Sequence, residues 1–361
     1  MLAVPNFRAE RCVRYRYAYS ECNHCLEACP HEAIRLFDAG AEVLADACQI
    51  CALCVAACPT DALTDKSVSA DSLLKIAGDK KRVAIACAPS AAKGDAIVPC
   101  LGALSPVLLA TFAKCGITLQ LKGTAHCAEC VHAATGPDMI ESHRAARDIL
   151  CGVDAAQQWA PLEIAAAEAV SVMDGNGHDT ARRGLFRRII GHGSDVVSGK
   201  FEAAPAPLNA IRAAAPFLPD RKEMLNNLYD APVEEPVRVA RHPAIPAENW
   251  VVAQDCTNCE ACVRVCPTGA MQLLENDESW RLVLLPERCV ACDACVEVCQ
   301  PKVLRQRDAD SVVVSKQKGR LLRTVPRRRC ATCGRPFVAD SDASICPICA
   351  SDDEDFTNIF G

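Results

Sequence analysis

Between Cys256 and Cys299 the chain carries the run C-x2-C-x2-C-x3-C twice, first as Cys256, Cys259, Cys262 and Cys266, then as Cys289, Cys292, Cys295 and Cys299. No other feature restricts the fold as strongly. Two short gaps let one tight loop present three thiolates to a [4Fe–4S] cube, and the fourth cysteine reaches across to the other cube of the pair. Soft sulfur ligands suit iron clusters. The crossing rule gives one cube Cys256, Cys259, Cys262 and Cys299, and the other Cys289, Cys292, Cys295 and Cys266.

Residues 7–65 hold a diverged second pair. Its first run is Cys12, a longer gap, then Cys22, Cys25, Cys29 and Pro30; its second is Cys48, Cys51, Cys54, Cys58 and Pro59. The insertion VRYRYAYSE between Cys12 and Cys22 lengthens one ligand loop without removing a ligand. Crossing assigns one cube to Cys12, Cys22, Cys25 and Cys58, and the other to Cys48, Cys51, Cys54 and Cys29. Paired zinc sites would use four-cysteine groups without the trailing Cys-Pro and rank below this reading. After each Cys-Pro comes a short turn and an apolar residue, in HEAI, TDAL and TGAM; Cys299 departs from this, with Gln300 before Pro301. In these residues the chain resembles the bacterial-type ferredoxin domain with two [4Fe–4S] clusters, twice over.

The sequence holds 26 cysteines in 361 residues, a density that in a small secreted protein would mean disulfides. The N-terminus has no apolar core after its arginines and no small-residue cleavage site, so we expect a reducing, cytoplasmic setting. The longest apolar stretch, residues 96–113, is interrupted by Pro99, Gly102 and Pro106 and reads as strand, turn and buried helix, not a membrane span. A net charge of −6 argues against broad nucleic-acid binding.

Residues 80–175 change character. Strands are expected at 82–88, 96–100, 117–121 and 162–166, with helices at 105–114 and 139–150. Alternation of this kind implies a small α/β domain with a parallel sheet, whose functional groups gather at the carboxyl ends of its strands. Cys87, Cys100, Cys127 and Cys130 fall at such ends. They form either a fifth centre or a set of ordinary buried cysteines. VPCLGALSP around Cys100, HCAECVHAATG around Cys127 and Cys130, and the following SHRAARDILCGV resemble the hydrogenase iron–sulfur subunit of methyl-viologen-reducing hydrogenase and heterodisulfide reductase systems. That resemblance implies a small extra cluster and a relay between larger redox partners. Cys127 and Cys130 stand closer together than in that family. His126 and His132 flank the cysteine pair and are weighed mainly as hydrogen-bonding residues. Cys115 and Cys151 lack partners at ligand spacing and are expected in the core.

Residues 176–248 read as a basic amphipathic helix at 181–190 followed by a linker rich in Ala and Pro. After the second cysteine-rich unit comes SVVVS, expected as an edge strand, then an arginine-rich neck and the knuckles Cys330-x2-Cys333 and Cys346-x2-Cys349. Four thiolates on two turns suit structural zinc or a single iron, and CATCGRPF with CPICA resembles a zinc ribbon or a rubredoxin-type module. The tail SDDEDFTNIFG is acidic, with an apolar end.

The expected architecture is multidomain α+β. Two ferredoxin-like dicluster domains (1–70 and 249–315) flank a small α/β parallel-sheet domain (80–175), with the linker at 176–248 and a zinc ribbon at 326–361. No phosphate loop, dinucleotide fingerprint, nucleophile elbow or H-E-x-x-H helix occurs. The expected function is electron transfer through four [4Fe–4S] clusters between larger redox enzymes or subunits, with no catalytic residue of its own. The alternatives are an accessory protein for a larger, for example molybdenum-containing, oxidoreductase, and an iron–sulfur enzyme acting on a disulfide or sulfur substrate.

Overall fold

The computed structural model describes residues 4–153, 158–165, 210–212, 214–308, 310–339 and 342–350. The basic helix expected at 181–190 and the acidic tail lie outside them. Among the described residues no helix is long and apolar enough to cross a membrane.

The two cysteine-rich units repeat one plan. In the first, β1 (Asn6–Phe7) is followed by the short helices α1 (Val13–Arg16) and α2 (His24–Glu27), the hairpin β2 (Ile34–Phe37) and β3 (Gly40–Val43), helix α3 (Leu53–Ala57) and β4 (Leu63–Thr64). The strand before the first motif pairs antiparallel with the strand after the last, Phe7 opposite Leu63, and the hairpin between the motifs pairs Ile34 with Val43. The first and last cysteines of the unit are thereby drawn together, as the crossing rule requires.

Helix α4 (Ala70–Ala77), capped by the Ser69 hydroxyl accepting from the Ser72 N–H, leads into the middle domain. Its strands are β5 (Arg82–Cys87), β6 (Ala96–Val98), β7 (Thr118–Lys122) and β8 (Leu162–Ile164), alternating with helices α5 (Pro106–Lys114) and α6 (Gly136–Cys151). The sheet is wholly parallel in the order β6-β5-β7-β8, with Ile85 beside both Ala96 and Leu121. Such a sheet needs apolar cover. Leu73, Leu108, Leu109, Phe112 and Ile140 from the three helices join Val83, Ile85, Val98, Leu119 and Leu121 in one core.

The second cysteine-rich unit follows α7 (Asp220–Asn226) and β9 (Arg238–Ala240). It comprises β10 (Trp250–Val252), α8 (Ala261–Val265), the hairpin β11 (Met271–Glu275) and β12 (Ser279–Leu284), α9 (Ala294–Glu297) and β13 (Leu304–Gln306). Trp250 opposes Gln306 and Met271 opposes Leu284, repeating the outer pair and inner hairpin of the first unit. The chain ends with β14 (Ser311–Val313), β15 (Arg320–Arg329) and β16 (Pro336–Val338).

Several expectations change here. The arginine-rich neck is β15, an inner strand of the four-stranded sheet β11-β12-β15-β16 whose Val325 is fully buried. SVVVS is a strand of a two-stranded sheet with β9 and so keeps the edge position expected, but it also brings Val312 into a core with Val239, Leu225, Leu228 and Leu150. The described part of the linker is mortar between the units. Arg221 on α7 donates to the carbonyls of Val55 and Ala56 and pairs with Asp61 at 2.5 Å, while Asn226 donates to the Glu287 carbonyl at 2.7 Å. Cys115 is exposed, against the expectation of a core position, whereas Cys151 is half-buried and packs against the core around Leu150 and Tyr229, as expected.

The first unit and the middle domain meet at Gly102, where a Cβ would stand 2.9 Å from both the Gly136 carbonyl oxygen and Leu53 Cδ2. Gly102→Val should destabilise the protein by about 1–3 kcal/mol through overpacking. Denaturant unfolding measures it, and an unchanged midpoint would mean that this contact is not close-packed.

Candidate metal centres

The cysteines sort into groups through their electrostatic neighbours. Cys22 has Cys58, Cys12 and Cys25 about it, and Cys25 has Cys58 and Cys12. Cys51 neighbours Cys29 and Cys48, and Cys54 neighbours Cys51, Cys29, Cys25 and Cys48. In the second unit Cys262 neighbours Cys259, Cys256 and Cys299. Cys295 neighbours Cys289, Cys292, Cys266 and Cys262. In each unit the last cysteine of one motif stands among the first three of the other. We call these groups A (Cys12, Cys22, Cys25, Cys58), B (Cys29, Cys48, Cys51, Cys54), C (Cys256, Cys259, Cys262, Cys299) and D (Cys266, Cys289, Cys292, Cys295).

Backbone conformation repeats with the motifs. The third residue after each closing cysteine has positive φ: Glu32 at 52°, Asp61 at 49°, Gly269 at 66° and Lys302 at 53°. Gln300 therefore leaves the turn after Cys299 intact. Ile50 and Ala52 about Cys51, Asn258 and Glu260 about Cys259, and Ala291 and Asp293 about Cys292 are also left-handed. Side chains other than glycine take this region at a cost of about 1–3 kcal/mol each, and such strain gathers where a ligand is clamped. Cys25 is the exception, lying within α2 instead of a left-handed turn.

The thiols are placed where charge is costly. Burial, with smaller contributions from neighbouring cysteines, pushes Cys22, Cys25 and Cys262 up to about 12 and drives Cys292 and Cys295 well above the ordinary thiol value. Without a metal these five thiols favour the protonated form, so holding them as thiolates calls for strong positive charge at the centre. Backbone N–H groups already point at the sulfurs: Ala33 to Cys29 at 3.3 Å, Ala62 to Cys58 at 3.3 Å and Ala270 to Cys266 at 3.2 Å. None of groups A to D draws its four sulfurs within 4.8 Å of one another, the closeness found about a single-ion site elsewhere in the chain. Wider spacing with shared neighbours fits a multi-iron core better than one ion.

Two stretches match the 4Fe-4S dicluster domain family. They are residues 20–62 and 255–303, the two units just described. No curated protein and no solved structure matches the chain. The dicluster matches and the clustered thiols support [4Fe–4S] binding in both units. Cys12, which joins group A through the lengthened loop, precedes the first dicluster match.

In the middle domain Cys87 ends β5, Cys100 follows β6, and Cys127 lies in the turn Thr124–Glu129 after β7. Cys100 neighbours Cys51, Cys87 and Cys127, and burial pushes it up to about 12. Cys127 neighbours Cys87 and Cys130. His132 is buried and faces the first dicluster unit, its Nδ1 lying 2.8 Å from His31 Nε2, while His126 sits in the turn beside Cys127. Cys51 Sγ lies within 4.8 Å of ligand atoms of both His31 and His132. Sequence reasoning had no signal for that pair, because residues 31 and 132 meet only through tertiary packing.

Cys330, Cys333, Cys346 and Cys349 do gather within 4.8 Å, with Cys333 and Cys346 3.9 Å apart. Bonds of about 2.3 Å to one tetrahedral zinc would put sulfurs about 3.8 Å apart. The Cys346 N–H donates to Cys330 Sγ at 3.3 Å, and the backbone N–H groups of Cys346 and Cys333 hold Cys330 below the ordinary thiol value, while hydrogen bonding from Cys349 to its neighbours raises Cys349. With hydrogen bonds shared among the four thiols in this way, the site favours a thiolate that a metal can take. Strand β16 pairs with the end of β15, which fixes this module to the second dicluster unit. Cys346→Ser should remove about one equivalent of metal, read by elemental analysis, and leave the iron–sulfur absorption in place. Retention of that metal would rule out this site.

Proposed function

We propose that groups A, B, C and D each hold one [4Fe–4S] cluster and that the chain relays electrons between larger redox partners. The observation that carries the reading is that the groups are strung in one continuous series across domain boundaries. Cys100 of the middle domain packs with Cys51 of group B and with Leu53, two residues beyond it. Group B adjoins group A, since Cys54 neighbours Cys25. Group A adjoins group D through a shared core in which Val13, Tyr17 and Cys22 meet Val265, Ala294, Val298 and Cys292. Group D adjoins group C, since Cys295 neighbours Cys262. Both ends reach solvent, at exposed Cys259 in group C and beside Val131, 68% exposed, next to Cys130.

The clusters supply one-electron exchange, and the protein spaces them and sets their potentials by burial and N–H···S bonds. The middle-domain cysteines Cys87, Cys100, Cys127 and Cys130 would hold a fifth, smaller centre at one end of the series. The C-terminal four would hold structural zinc, because a module this short needs a metal to fold.

Double variants test the crossing on which the series depends. Anaerobically purified protein should contain about sixteen irons in its cubes, four in each. If Cys22 and Cys58 serve the same cube, Cys22→Ser with Cys58→Ser should lose no more iron than either change alone. Cys51→Ser with Cys58→Ser should lose twice as much. The opposite ranking of iron contents would refute the assignment.

A further inference from the structure

Two buried cations stand beside group D, and neither comes from the unit that contains it. Arg16 is 1% exposed and lies in the lengthened loop of the first unit. Its Nε donates to the Glu10 carbonyl at 2.9 Å, and its terminal nitrogens to those of Ala214 at 3.0 Å and Ala215 at 2.5 Å. All three acceptors are neutral. Lys222 on α7 is likewise 1% exposed, and its Nζ donates to the Pro246 carbonyl at 3.1 Å. Among the described residues neither has a carboxylate within ion-pair distance. Burial lowers the pKa of both, Lys222 to about 8, and the groups that act to raise them again are led by Cys266 and Cys292 for Arg16, ahead of Glu10, and by Cys289 for Lys222, ahead of Glu287.

The packing places both cations independently of their charge. Val13 and Tyr17, on either side of Arg16, sit in one core with Val265, Ala294 and Val298. Phe217, two residues after Ala215, donates its N–H to the carbonyl of Pro267, next to Cys266, at 2.9 Å. One turn beyond Lys222, Asn226 holds the Glu287 carbonyl two residues before Cys289.

A buried charge without a counter-charge is strongly unfavourable, so a fold that keeps two of them must place an anion nearby. A 2+ core with four thiolates carries about two net negative charges, and about three once reduced. We propose that Arg16 and Lys222 are the counter-charges of the cluster at Cys266, Cys289, Cys292 and Cys295, and that they hold its reduction potential up against the burial that lowers it. Glu248, another neighbour of Cys289, is already paired with Arg241. Arg14, the cation beside Cys12 in group A, is only half-buried and is therefore screened by water. Because Arg16 belongs to the first unit, the potential of a cluster in the second unit depends on their docking.

This inference rests on the four-cluster reading, and iron content separates the two. The test is a redox titration of the full chain by EPR, comparing the unaltered protein with Arg16→Gln, Arg16→Lys and Lys222→Met. With iron unchanged, Arg16→Gln and Lys222→Met should each move the midpoint of one and the same cluster to more negative potential, while Arg16→Lys keeps most of the original value. Unmoved midpoints, an equal shift in every cluster, or shifts in two different clusters would overturn the proposal. Should Arg16→Gln lose iron, the Lys222→Met titration decides alone, since a methionine fills the same space without the charge. Iron well below about sixteen in the unaltered protein would instead strike at the four-cluster reading.

Discussion

The closing cysteine of each motif stands among the thiols of its partner motif, and the rest of the architecture depends on that exchange. Neither motif can complete a four-thiol group alone. The outer strand pair, Phe7 against Leu63 and Trp250 against Gln306, closes the loop that brings the exchanged residues together. The repeated left-handed turns at Glu32, Asp61, Gly269 and Lys302 set the direction of the chain just after each closing thiol. With thiols such as Cys22 and Cys262 pushed up to about 12 by burial, the cysteine groups are incomplete until a metal core supplies positive charge.

Docking between units follows from the same loops. The residues that lengthen the ligand loop after Cys12 form α1, whose Val13, with Tyr17 just beyond it, is buried against α8 and α9 of the second unit. Glu21 at the end of that loop donates its N–H to Glu297 on α9 at 3.3 Å. The insertion is therefore the joint between two dicluster units. Across the molecule, Leu53 and Cys51 make the corresponding joint to Cys100 in the middle domain. A relay needs both joints, and each is built from residues adjoining or belonging to the cysteine groups.

What could be read from the sequence was whatever depends on local spacing. The cysteine runs, the alternating strands and helices of the middle domain and the paired knuckles at Cys330 and Cys346 all have short-range signatures, and the structure places each as an element or a group. What could not be read depends on long-range packing. Arg16 and Lys222 look like ordinary surface cations until the neighbouring units close over them. The Pro- and Ala-rich stretch lacks the apolar density of a core, yet Arg212 and Arg221 bond to the first unit, Ala210 packs with Val265 and Ala294 of the second, and Leu225 of α7 packs with Val107 and Ala146 of the middle domain. The arginines of β15 hide a strand because only Val325 among its residues is fully buried. Cys115 misled in the other direction, since having no partner at ligand spacing does not make a cysteine buried.

The most direct measurement of the central claim is spin quantitation by EPR on the fully reduced, anaerobic protein. One unpaired spin per reduced cube gives about four spins from the two dicluster units. Their signals should be broadened by mutual magnetic coupling, since each group adjoins the next. Two spins or fewer, or four sharp and independent signals, would contradict a continuous series of clusters.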